Sequence, residues 1–207
     1  MTFKNRVFLK NASVPLLLLA LAEMCMLPSS GVDLWNKLSR HSSGKSASNA
    51  VLDILRENKT GLASAEELRL AQVITGESEA HRIDPLFILA LIKTESTFYN
   101  WSRSLSGALG LMQILPSTGR GIADELHLEW AGNETLLDPF INVKMGIHYF
   151  STLKDRFNDD TARTLAAYNI GPTYLSANMD AGMDVTGEFV KKVLENYRDM
   201  KERVEYN

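Results

Sequence analysis

The sequence predicts an all-α fold on three observations. Apolar residues recur at helical spacing from residue 64 onward, helix-start signals stand at intervals along the chain, and no convincing alternating strand of five residues or more is read. Ser64 with Glu67 reads as a capping box ahead of Leu68, Ala71, Ile74 and Ala80, which share one helix face. Asp84 and Pro85 read as the N-cap and first turn of a second helix, which carries Leu86, Phe87, Leu89 and Ile92 and runs to Glu95. Pro116 opens or interrupts another. Asp138-Pro139 starts one that carries Val143, Ile147, Phe150 and Leu153. Thr161 is expected to cap a helix through Leu165 and Ala167 that stops before Gly171-Pro172, and Phe189 to Tyr197 forms a last amphipathic segment.

Composition narrows the function classes. The 207 residues are 45% hydrophobic and 23% charged, enough apolar material for one core of ordinary size, so one domain with a short extension is expected. With 22 Lys+Arg against 25 Asp+Glu the net charge is -3, which leaves no basic excess to attract nucleic acid. The single cysteine, Cys25, excludes an intrachain disulfide framework and a cysteine-rich zinc site, and the four histidines lack metal-ligand spacing. Neither a metal nor a cofactor is expected.

Residues 1–22 have the layout of an export signal. Lys4, Arg6 and Lys10 precede the apolar run from Val14, and Ala20-Leu21-Ala22 places small residues at a cleavage site. The run is short of the roughly 20 apolar residues of a membrane-spanning helix. Glu23 and Met24 do not match the small residues expected before a lipidated cysteine at Cys25. Cleavage after Ala22 leaves 19 basic and 25 acidic residues. Residues 23–61 read as a polar, Ser-rich linker with one short helix around Val51 to Leu55. Within it, Ser42 to Ser46 (SSGKS) resembles the end of a phosphate-binding loop by chance, since the first glycine and the preceding strand are missing. Residues 62–207 form the helical domain.

The chemistry is expected at Glu95. Ile88, Leu91 and Ile92 on the preceding turns place an apolar wall beside its carboxyl, and loss of water raises a carboxyl pKa toward that of a general acid at neutral pH. The bland reading of Glu95 is a solvent-facing residue near a helix end. Against it stands Ser106 to Gln113, a small-residue loop that lets backbone approach a ligand and delivers one amide side chain.

Three motifs in order, Glu95-Ser96-x-Phe98, then Ser104-x-Ser106-Gly107-Ala108-x-Gly110-Leu111-Met112-Gln113-x-x-Pro116-x-Thr118, then Ala167-Tyr168-Asn169-x-Gly171-Pro172, resemble the soluble lytic transglycosylase (SLT) family with its goose-lysozyme-like catalytic domain. The resemblance covers roughly residues 68–200. It implies a compact lysozyme-like helical domain in which Glu95 is the sole acid/base and Ser96 helps to hold the glutamate or the substrate. It also implies that Tyr168 reaches the catalytic carboxyl from another helix, that Ser106 and Gly110 to Gln113 line the glycan groove, and that Asn169 shapes the same wall. Each has a plainer reading. Met112 fits a packing role equally well, and Tyr168 with Asn169 could be a buried hydrogen-bonded pair. Phe98 is expected in the core and Asp159-Asp160 as a solvated charge cluster. Tyr99 and Trp101 are candidates for stacking on a sugar.

The implied activity is non-hydrolytic cleavage of the β-1,4 bond between N-acetylmuramic acid and N-acetylglucosamine in peptidoglycan, leaving 1,6-anhydro ends. Hydrolysis on the same fold and glycan binding without turnover are the alternatives. Peptidoglycan strands are the expected partner, with a secretion or conjugation apparatus as a second. A monomer outside the inner membrane is expected. A glycosidase of the ordinary kind uses two carboxyls. Asp124, Glu125 and Asp138 have simpler explanations, Asp138 as an N-cap and the other two as exposed charges.

Overall fold

The computed structural model describes residues 47–179 and 187–205, within a unit spanning Gly44–Asn207. The export signal, Cys25 and the SSGKS stretch lie outside the described residues. The described residues form nine helices: α1 (47–56), α2 (Ser64–Ala80), α3 (Pro85–Ser96), α4 (Pro116–Glu125), α5 (Asn133–Leu137), α6 (Pro139–Arg156), α7 (Thr161–Ile170), α8 (Pro172–Met179) and α9 (Glu188–Glu205). Extended pairing among them is limited to isolated bridges of Leu109 with Arg103 and Ile114. The all-α class predicted from periodicity is the class observed.

α3 is the hub. Phe87 through Ile92 are all buried, so the helix is apolar on every side and is covered all round, with α9 along it and α2 against it. The Asp84-Pro85 start is as read: the Asp84 carboxyl accepts from Leu86 N at 2.9 Å, and Pro85 occupies the first turn, where no N–H is needed. Asp138 does the same for α6, accepting from Phe140 N at 2.9 Å and Ile141 N at 3.0 Å. Two other starts differ by one residue. At α2 the cap is Ala63, whose N–H is taken by Glu66 at 2.8 Å, while Glu67 turns inward to accept from Thr60 Oγ1 at 2.7 Å. At α7 Asp160, not Thr161, is the cap and accepts from Arg163 N at 3.0 Å. Half of the expected Asp159-Asp160 charge cluster is therefore a helix start.

The expected linker also differs in its last third. In α1, Val51 and Leu55 are fully buried in the common core, and Thr60 O accepts from Asn100 N at 3.0 Å. The short helix read at Val51 to Leu55 thus packs with the residues that follow it. Two short helices were not read from the sequence, α5 and α8. α8 starts because Gly171 (φ 89) ends α7 and Pro172 is preset for a new first turn.

Candidate active site

Glu95 sits in the last turn of α3. The next two residues, Thr97 (φ 51) and Phe98 (φ 66), are both left-handed, an uncommon pair for residues with a Cβ. They reverse the chain so sharply that Phe98 returns to the core at 1% exposure, as expected of it. The Glu95 carboxyl is partly covered, and loss of water raises its pKa from 4.5 to about 7. Its place at the helix C-terminus, where unpaired carbonyls carry partial negative charge, acts in the same direction.

The small-residue loop after α3 is folded on itself. Leu109 and Ile114 exchange both backbone bonds at 3.0 Å, and Gly110 N donates to Ser102 O at 3.0 Å. The Ser104 hydroxyl accepts from Ala108 N at 2.9 Å, and Gln113 Nε2 donates to Gly110 O at 2.8 Å and Ser102 O at 3.2 Å. Asn142, on α6 and fully buried, pins this loop from below. Its Oδ1 accepts from Met112 N at 2.8 Å, and its Nδ2 donates to Leu109 O and Leu136 O, both at 2.9 Å. Gly110 (φ 78) must lack a side chain, because a Cβ there would lie 2.6 Å from Leu136 O.

The opposite wall comes from α6 and α7. Tyr149 and Tyr168 bring their ring centroids to 5.6 Å, and Tyr168 Oη donates to Met112 O at 2.8 Å. Burial raises the Tyr168 pKa well above its usual value, with the negative charge of Glu95 adding to it. Between loop and wall lies a cleft of about 440 Å³ that holds Glu95, Ser106, Gln113, Tyr149, Tyr168 and Asn169 together. Leu115 and Ile170 give it an exposed apolar rim.

Five expected site residues therefore meet in one cleft: Glu95, Ser106, Gln113, Tyr168 and Asn169. Three do not reach it. Ser96 is buried and donates back to Ile92 O at 3.1 Å, one helical turn away, so it cannot hold Glu95 or a ligand. Met112 is fully buried against Gly146, where an added Cβ would overlap it, so its packing reading holds and only its backbone serves the site. Gly110 is buried above Asn142 and shapes the loop without facing the cleft. The Tyr168 hydroxyl, expected on the catalytic carboxyl, is hydrogen-bonded to a loop carbonyl instead. Tyr99 and Trp101 are half-exposed and flank Gly61, away from the cleft lining. Asn142 and Tyr149 were missed by sequence reasoning. Both lie on a helix whose apolar positions alone stand out.

Glu95 is the one carboxyl among the described residues lining the cleft. Asp138 is engaged as a cap, and Glu125, which is not among the cleft-lining residues, accepts from His148 at 3.0 Å. A second cavity, of about 380 Å³ beside Phe87, Phe150 and Leu194, holds only Asp84 as an acid. That carboxyl is committed to Leu86 N and, at 2.7 Å, to the Tyr197 hydroxyl. Among the described residues no cluster of three His, Cys, Asp or Glu is placed to hold a metal ion.

Residues 72–184 match the family described as Transglycosylase SLT domain. The chain is 36% identical over 104 residues to the membrane-bound lytic murein transglycosylase C of Pectobacterium atrosepticum, covering 45% of this chain and 29% of that protein. It is 31% identical over 91 residues to the soluble lytic murein transglycosylase of Salmonella typhimurium, covering 44% of this chain and 14% of the relative. Among solved structures, the 70-kDa soluble lytic transglycosylase of Escherichia coli superposes with a TM-score of 0.59 at 19% identity, over 76% of this chain and 30% of that one. The lytic transglycosylase Slt of Pseudomonas aeruginosa, solved as an inactive mutant, gives 0.58 at 24% identity over 64% and 24%. The chain thus spans under a third of the length of each of these proteins, and at these identities the two structures speak for the lysozyme-like fold alone.

Proposed function

Because the chain belongs to the transglycosylase SLT domain family through residues 72–184, we propose that it is a peptidoglycan lytic transglycosylase with Glu95 as its acid and base. The observation that carries the reading is a cleft carboxyl, the one among the described residues there, whose pKa is raised to about 7. At neutral pH a sizeable fraction of Glu95 is protonated in the free protein, as a general acid must be. It gives its proton to the glycosidic oxygen as the bond to C1 of the muramoyl unit breaks. The muramoyl acetamido oxygen supports the positive charge at C1 from the other face. The Glu95 carboxylate then takes the proton of the C6 hydroxyl, and O6 bonds to C1. Atoms balance with no water consumed, and Glu95 ends protonated for the next cycle.

A single carboxyl among the described residues of the cleft favours this route over hydrolysis, which in its common forms needs a second acid to activate water or attack C1. The layout of residues 1–22 supports export to the periplasm, where the substrate lies, and we read the protein as a local wall-opener beside a secretion or conjugation apparatus. No helix among the described residues is long and apolar enough to cross a membrane. Digestion of purified sacculi in ¹⁸O-labelled water tests the chemistry. The expected products are unlabelled anhydro-muramoyl ends, and label at C1 of the new muramoyl end would establish hydrolysis instead.

A further inference from the structure

Tyr168 and Tyr149 are neighbours in the same cleft, yet their hydroxyls stand in different situations. Tyr168 Oη is tied to Met112 O at 2.8 Å, and Met112 is itself locked by Asn142. That phenol is a strut between α7 and the loop, and its one proton is already committed. Tyr149 Oη donates to no described residue, although its ring is fixed against Tyr168 and it lines the cleft beside Glu95. The other polar groups of the cleft are less suited to donate. Ser104 and Ser106 share one hydrogen bond at 2.9 Å, which leaves one proton between them on an exposed alcohol that keeps its water, and Gln113 Nε2 serves two loop carbonyls. Asn169 is exposed and keeps its water, and Thr118 offers an alcohol, a weaker donor than a phenol.

We propose that Tyr149 is the donor that recognises the acetamido group of an N-acetylhexosamine bound beside Glu95, and that Tyr168 is structural. The acetamido carbonyl is the strongest neutral acceptor on such a sugar, whose other oxygens are hydroxyls and ethers. A donor held in place and partly stripped of water gains most from an acceptor that the ligand brings. Burial raises the Tyr149 pKa, with nearby Arg156 lowering it in part, so the phenol keeps its proton at neutral pH. The assignment rests on the reading of the cleft as a glycan site and adds to it the group that is read.

Binding separates the two. In full-length Glu95→Gln protein, which cannot turn over, affinity is measured for the N-acetylglucosamine tetramer and for the glucose tetramer, which has a hydroxyl in place of each acetamido group. Adding Tyr149→Phe is expected to weaken the N-acetylglucosamine tetramer roughly threefold to tenfold, to leave the glucose tetramer unchanged and to leave the melting midpoint in place. Tyr168→Phe is expected to lower the midpoint while folded protein keeps its affinity for the N-acetylglucosamine tetramer. Unchanged affinity in Tyr149→Phe, an equal loss for both sugars, or no binding of the N-acetylglucosamine tetramer by the parent would overturn the assignment. Failure of the wild-type protein to release muropeptides from sacculi would overturn the lytic reading and leave a Tyr149-dependent affinity standing.

Discussion

In the proposed reaction one carboxyl does two jobs, and its environment sets the pH at which it can do them. With Glu95 at about 7 in the folded protein, the protonated fraction falls as pH rises through 7. The expected kcat/KM is therefore flat on the acid side of this group and drops about tenfold per unit above it. A pH–rate profile with no break between 6 and 8 would refute this. The same shift has a sign for stability. Because the folded carboxyl holds its proton more tightly than the unfolded one, its contribution is fully present below about 4.5 and is lost as pH rises through about 7. Glu95→Gln removes that liability. Denaturant melts should find the variant more stable than wild type at pH 8 by on the order of 1–3 kcal/mol, less than the full shift because the group is partly open to solvent. The difference should vanish near pH 4. Activity should fall by at least about 10²- to 10⁴-fold, and wild-type turnover in the folded variant would exclude Glu95 as the catalyst.

Among the elements, α6 contributes most to the site for the least visible signal. Asn142 makes three hydrogen bonds without contact with solvent, two of them to residues 30 and 33 positions away in sequence. Asn142→Ala leaves one donor, Met112 N, and one acceptor, Leu136 O, buried without partners, each costing about 1–3 kcal/mol, while Leu109 O keeps its bond from Ile114 N. We expect a loss of at least about 2 kcal/mol in chemical denaturation, and near-zero lytic activity because Met112 and the loop lose their anchor. Wild-type stability would mean that water replaces the side chain. What was legible and what was not divides here. Asp84-Pro85 and Asp138-Pro139 declare themselves because a cap is satisfied within three residues. Asn142, Tyr149 and the true partner of Tyr168 could not be read, since their roles depend on where α6 and α7 dock against the loop. Helical periodicity does not encode that. The motif residues Glu95, Ser106, Gln113, Tyr168 and Asn169 were found through their resemblance to a family, and the same resemblance brought in Ser96, which back-bonds to its own helix.

At the scale of the molecule, the segment that matches the family, residues 72–184, is smaller than the packing unit that holds Glu95 in place. α9 lies beyond that segment and grips α3 near both ends. Asn196 Nδ2 donates to Thr94 Oγ1 at 2.9 Å, next to Glu95, while Tyr197 Oη donates to Asp84 at 2.7 Å and Lys201 approaches the same carboxyl at 3.5 Å. Arg203 pairs with Glu57, just past the end of α1, so the first and last described helices are joined as well. Val190, Val193 and Met200 enter the core from α9. Burying three such side chains contributes about 1.5–3 kcal/mol each, and losing α9 would also uncover the face of α3 against which they pack. The sum is comparable to the whole stability of an ordinary domain, about 5–15 kcal/mol. A chain lacking residues 188–205 is therefore expected to show no cooperative thermal transition by circular dichroism and no release of muropeptides. The single change Tyr197→Phe removes one hydroxyl from the Asp84 carboxyl and should cost only about 0.5–3 kcal/mol. If the shortened chain melts cooperatively near the wild-type midpoint, the matched segment with α1 is self-sufficient and α9 is not what holds the helix that carries Glu95.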